Sequence, residues 1–137
     1  MAAVRTVVRF VVNDAELSAL HARAFGNPPG EPEPWAARLE RHSVSWVGAF
    51  AGPQLIGFVH AVGDGGRHAF LLDTVVDPAR QRSGLGSALV ACLVAEVRLA
   101  GCEWLHVDFE PHLTRFYRGC GFAPTEAGLL RLAPQVR

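Results

Sequence analysis

The sequence predicts a single α/β (α+β) domain over residues 1–137, with about seven strands and about four helices. Three observations carry this. β-branched runs alternate with segments of helical period. Two tight turns, Gly52-Pro53-Gln54 and GDGGR over 63–67, join consecutive strand-like runs. The apolar run 68–76 leads through a glycine-containing loop into the longest helical pattern of the chain.

Taken in order, residues 5–12 (RTVVRFVV) read as a first strand. Asn13 or Asp14 can cap a helix to about Phe25, with Leu17, Leu20 and Ala24 on one face. Residues 26–34 hold four prolines and two glycines and exclude regular structure, and Pro34 suits the first turn of a second helix to about Arg41. Residues 43–51 and 55–62 read as paired strands, and 68–76 (HAFLLDTVV) as a fourth, apolar on both faces and therefore central. The long helix runs from about Gly84 to Ala100, with Leu85, Leu89, Leu93 and Val97 on one face and Gly101 as its C-terminal cap. Residues 104–109 form a fifth strand and 112–119 a short helix. Two short strands follow, near Phe122 and over Leu129–Leu132.

Composition narrows the function. Half the residues are hydrophobic and the formal net charge is zero, with 13 basic and 13 acidic residues. A general binder of nucleic acid or of an anionic membrane would carry a basic excess, so neither partner is expected. Every basic residue is arginine; without lysine there is no Walker phosphate loop. Cys92, Cys102 and Cys120 are odd in number and widely spaced, as in a reduced, cytoplasmic protein. The N-terminal apolar stretch is broken by Arg5 and Arg9 and reads as a strand, not a signal peptide, and no apolar run approaches the ~20 residues of a membrane span.

The chemistry concentrates in DPARQRSGLGSALV, residues 77–90. Gln81-x-x-Gly84-x-Gly86 opens directly into the long helix. The first amides of a helix lack internal partners, the macrodipole adds about half a positive charge there, and glycines let an anion come close. Arg80 and Arg82 add mobile positive charge, so this is a site for a pyrophosphate. A dinucleotide fingerprint would want a small residue where Leu89 stands and a tighter turn from strand to helix.

Residues 72–90, a strand followed by Val76-Asp77-Pro78 and Gln81-x-x-Gly84-x-Gly86, resemble the acetyl-CoA loop of the GNAT superfamily of N-acetyltransferases. About thirty residues on, Phe116-Tyr117-Arg118-Gly119-Cys120-Gly121-Phe122 is similar to that family's Phe-Tyr-x-x-x-Gly-Phe segment. The element order fits too, so the resemblance covers nearly the whole chain. It implies a central, mixed and mostly antiparallel twisted sheet that splays between strands 4 and 5. Acetyl-CoA would enter the split as co-substrate, with its pyrophosphate on the loop (Gln81, Arg82, Ser83, Gly84, Leu85, Gly86 and Ser87) and its pantetheine arm along Thr74, Val75 and Val76. An amine acceptor would complete a ternary complex for direct attack. Dimers are common for this fold, and a homodimer is left open.

The resemblance makes Tyr117, the chain's one tyrosine, the acid for the departing thiolate and a contact of CoA. The base has three candidates. Asp73 lies on the fourth strand with Ala69, Leu71 and Val75, where burial would raise its pKa toward neutrality. Asp108 and Glu110 end the fifth strand, and a neutral amine needs no base. Glu110 also stands where many family members carry an asparagine that contacts the pantetheine arm. In the family the segment joining the first two helices lies over the acceptor. Here it carries Glu31, Glu33 and Trp35, which with Asp108 and Glu110 would favour a cationic amine through carboxylates and a cation–π contact. No metal is expected: the six histidines lack a ligating pattern and read as strand or helix surface. The competing reading is a non-catalytic acyl-CoA-binding module on the same fold.

Overall fold

The computed structural model describes residues 3–134. The chain forms two compact units, Met1–Val107 and Asp108–Arg137. The first contains β1 (Val4–Val8), α1 (Asp14–Ala24), α2 (Trp35–His42), β2 (Ser43–Ala51), β3 (Gln54–Gly63), β4 (His68–Val76), α3 (Leu85–Leu99) and β5 (Trp104–His106). The second contains a 3-10 turn, Pro111–Leu113, and α4 (Thr114–Gly119).

The five strands form one sheet in the order β1-β2-β3-β4-β5. Neighbours from β1 to β4 pair antiparallel, with tight turns joining β2 to β3 and β3 to β4 and with α1 and α2 between β1 and β2, and β5 joins β4 in parallel after the α3 crossover. The expected mixed, mostly antiparallel sheet is therefore present, with five strands among the described residues and not seven. Phe122 is part of a helix end: its amide donates to the Tyr117 carbonyl at 3.1 Å. Leu129, Leu130 and Leu132 are more than 80% exposed and lie in no strand. An apolar run becomes a strand only where another edge meets its amides and carbonyls, and pattern alone does not supply that edge.

Helix positions follow from sequence spacing. Asn13 caps α1 by accepting the Glu16 amide at 2.9 Å, and Leu17 and Leu20 are fully buried. Trp35 and Leu39, four apart, bury one side of α2. α3 buries Leu85, Leu89, Leu93 and Val97 together with Val90. A Cβ on Gly48 would meet Phe10, and one on Gly57 would meet Leu89 of α3. Phe58 stands opposite Gly48, so Gly57 points to the other face. Hence α1 and α2 cover one face of the sheet with Phe10, Trp46, Leu55, Phe58 and Val75 beneath them, and α3 covers the other. Each such side chain stabilises the fold by ~1.5–3 kcal/mol when fully buried.

Two strands are shorter than expected. β1 stops at Val8 because Arg9 adopts φ 52°, which turns Phe10 into the core. Arg9 stays anchored through its amide to the Trp46 carbonyl at 2.8 Å and its guanidinium over the Trp46 ring. β5 ends at His106 rather than at residue 109. β4 is less enclosed than its composition implies, since Phe70 and Leu72 are both over 40% exposed. Among the described residues no helix is long and apolar enough to cross a membrane.

Candidate active site

β4 organises the site through its two unequal edges. Against β3 the ladder carries a bulge: Val75 faces Phe58 and Leu72 faces His60, so Asp73 and Thr74 together oppose Val59. Asp73 takes φ 57° there, a left-handed state uncommon for a residue with a side chain. Against β5 the pairing lasts three residues, His68–Trp104, Ala69–Leu105 and Phe70–His106, and stops. All three residues of β5 are paired, so the ladder ends where β5 ends. Beyond Phe70, the stretch Leu71–Val76 of β4 is not paired with β5. Thr74, Val75 and Val76 lie on this stretch.

The chain then turns into α3 under close local control. The Asp77 amide donates to the Ile56 carbonyl at 2.8 Å, and its carboxylate accepts the Ala79 amide at 3.0 Å and Arg23 at 3.1 Å. Gln81 donates to the Val76 carbonyl at 3.4 Å and the Ser83 hydroxyl donates to the Arg80 carbonyl. Residues 81–84 are exposed. Gly84 caps α3 at φ 81°, with nothing within 4 Å of where a Cβ would stand. No side chain caps the helix, and its first bond runs from the Ala88 amide to the Gly84 carbonyl at 3.1 Å. Leu85 is buried, Gly86 half-buried and Ser87 exposed, so the helix is anchored while its first turn stays accessible. Open amides, a left-handed glycine and Arg82 fit a pyrophosphate.

Asp73 differs from its expected character. Its Oδ2 lies 2.7 Å from His60 Nε2 and its Oδ1 lies 3.0 Å from His21 Nε2. Burial would raise its carboxyl, but hydrogen bonds and charge from His21 and His60 outweigh that and hold it well below the usual carboxylate range. A raised, near-neutral Asp73 is therefore corrected to a firmly ionised one. The surface reading of the histidines fails at the same place. His60 is 3% exposed and stacked on Phe58, while its Nδ1 lies 2.9 Å from Ser43 Oγ. His21, His60 and Ser43 went unnoticed because they lie on three elements and share no spacing with Asp73.

The acceptor-side residues also shift in meaning. Trp35 is 2% exposed within the core, and Arg38 already lies over its ring at 4.7 Å, so the ring offers no face to an acceptor cation. Glu33 is paired with that same Arg38 at 2.8 Å, while Glu31 is exposed. Asp108 and Glu110 are exposed and lie beyond the end of β5, and the Glu110 carbonyl starts the following 3-10 turn by accepting the Leu113 amide at 2.9 Å. Within the second unit Tyr117 is buried, stacked on Phe109 at 4.8 Å with Phe116 and Phe122 edge-on.

The chain belongs to the GNAT family of acetyltransferases, whose family model matches residues 15–122. Over 110 residues it is 36% identical to serotonin N-acetyltransferase 2, chloroplastic, of Oryza sativa subsp. japonica, covering 78% of this chain and 54% of the relative. The chain spans about half or less of the length of the curated relatives it matches. A Trypanosoma brucei acetyltransferase shares the fold with a TM-score of 0.78 at 22% identity, over 96% of this chain and all of the other. An aminoglycoside N-acetyltransferase in complex with CoA does so with a TM-score of 0.72 at 20% identity, over 97% and 96%.

Proposed function

We propose that the protein transfers the acetyl group of acetyl-CoA to a primary amine by direct attack in a ternary complex. The observation that carries this reading is the end of β4–β5 pairing at Phe70, followed by a glycine-led N-terminus of α3 that no side chain caps, in a chain of the GNAT family. The amides of residues 82–87 receive the pyrophosphate, and the β4 edge receives the pantetheine arm and polarises the thioester carbonyl. Tyr117 supplies the proton that the departing thiolate takes up. Serotonin is the first acceptor to test, because a relative bearing that activity in its name shares 36% identity with this chain.

The test is calorimetric titration of acetyl-CoA into the wild type and into Gly84→Glu, with CoA release followed over a panel of primary amines. Gly84→Glu sets a carboxylate against the pyrophosphate and strains a left-handed position. Affinity is expected to fall at least ~10-fold, about 1.4 kcal/mol. Equal affinity in a folded variant refutes the placement, and release of CoA with no amine in the panel refutes the reaction.

A further inference from the structure

Asp73 is the centre of a four-residue chain: Ser43 Oγ to His60 Nδ1 at 2.9 Å, His60 Nε2 to Asp73 Oδ2 at 2.7 Å, and Asp73 Oδ1 to His21 Nε2 at 3.0 Å. The carboxylate accepts from both rings, so both Nε2 atoms carry hydrogen. His60 Nδ1 is then an acceptor, and the Ser43 hydroxyl donates to it. His60 is enclosed by Phe58 and Trp35 and cannot reach a substrate. His21 differs. Its side chain is 24% exposed, and no hydrogen bond to its Nδ1 forms among the described residues. A ring with Nε2–H committed to a carboxylate presents its other nitrogen as a base of fixed direction.

We infer that His21 is the proton acceptor for the attacking amine, that Asp73 orients it, and that His60 and Ser43 are positioning residues that hold Asp73. The inference rests on the acetyl-transfer reading. The left-handed backbone of Asp73 supports it, since a residue with a side chain is held in that conformation where it aims a functional group. Asp73 itself is a poor proton acceptor, because both of its oxygens are engaged and its carboxyl is held low. In the reaction the amine nitrogen bonds to the thioester carbonyl carbon and its proton passes to His21 Nδ1. The C–S bond breaks with its electron pair on sulfur, and the thiolate takes the proton of Tyr117. His21 then loses its proton to water and Tyr117 regains one, leaving amide and thiol. The charged and titratable groups around His21 are Asp73 from β4, His60 from β3 and Arg38 of α2 over the Trp35 ring. Arg23 of α1 is paired with Asp77.

His21→Gln keeps an N–H for Asp73 and removes the ring base. With acetyl-CoA and serotonin, kcat/KM of the wild type should rise with pH through the histidine range. The acceptor's own alkylamine titrates above that range and affects both proteins alike. His21→Gln should lose this limb and ~10²-fold or more in kcat, while acetyl-CoA affinity by calorimetry stays within about twofold. A folded His21→Gln that keeps the limb, with kcat within about threefold, overturns the role of His21 and leaves acetyl transfer standing. A wild type that transfers acetyl to no amine overturns both. Should His21→Gln not fold, ring-15N NMR of the wild type decides. His21 must titrate at the pH of the kinetic limb with hydrogen on Nε2 in its neutral form, and an Nδ1–H form or no titration overturns the inference.

Discussion

At the scale of single residues, the sequence placed Asp73 on the correct strand and could not show what it touches. A carboxylate in an apolar strand predicts a raised pKa only while its partners are unknown. Two histidines, thirteen and fifty-two positions away, reverse the direction. Gly84 was legible because its requirement is local: a left-handed residue where a loop enters a helix. Asp73 carries a stability consequence with a definite sign. Its folded pKa lies below the unfolded value of ~3.9, so its contribution is complete above that pH and is lost as pH falls through the folded value. Asn tolerates the left-handed backbone, so Asp73→Asn removes charge without adding strain. At neutral pH the variant should melt below the wild type, and the gap should narrow as pH falls below about 4. Melting curves at pH 7 and pH 3 check this, and a gap that widens in acid contradicts it.

Among the elements, β2, β3, β4 and α3 were read almost to the residue, because period and turn chemistry agree along them. The ends of β1 and β5 were not: one is set by Arg9 turning left-handed and the other by where pairing to β4 stops. Both are tertiary facts without a local signature. Packing between elements gives its own expectation. A Cβ at Gly48 of β2 would sit 2.7 Å from two atoms of the Phe10 ring and 3.1 Å from Leu55 Cδ1. Phe10 is buried, with Phe50 and Phe58 edge-on at 5.4 and 6.1 Å, so the ring has little room to move. Gly48→Ala should therefore cost ~1–3 kcal/mol through overpacking. In thermal melts that appears as a lowering of several degrees, about 3–4 °C per kcal/mol at this chain length. A Tm equal to the wild type would mean that the core around Phe10 yields more than its packing indicates.

For the whole molecule, element order and the glycine loop were enough to read the family, since both are written in linear sequence. The last two expected strands are absent: the segment after Gly121 forms no strand among the described residues. The two compact units bear on cooperativity. The unit beginning at Asp108 is smaller than the ~40 residues below which a chain needs disulfides, metal or partners to fold alone. The buried aromatic cluster around Tyr117 cannot by itself offset the backbone entropy of the segment. The full chain should thus unfold in a single calorimetric transition, with van't Hoff and calorimetric enthalpies equal. Acetyl-CoA at ~100 times its Kd should stabilise that one transition by ~2.7 kcal/mol and raise its midpoint as a unit. The same concentration should leave Gly84→Glu nearly unmoved. Two resolved transitions in the free protein, or a shift confined to one of them, would show that the C-terminal unit folds on its own account.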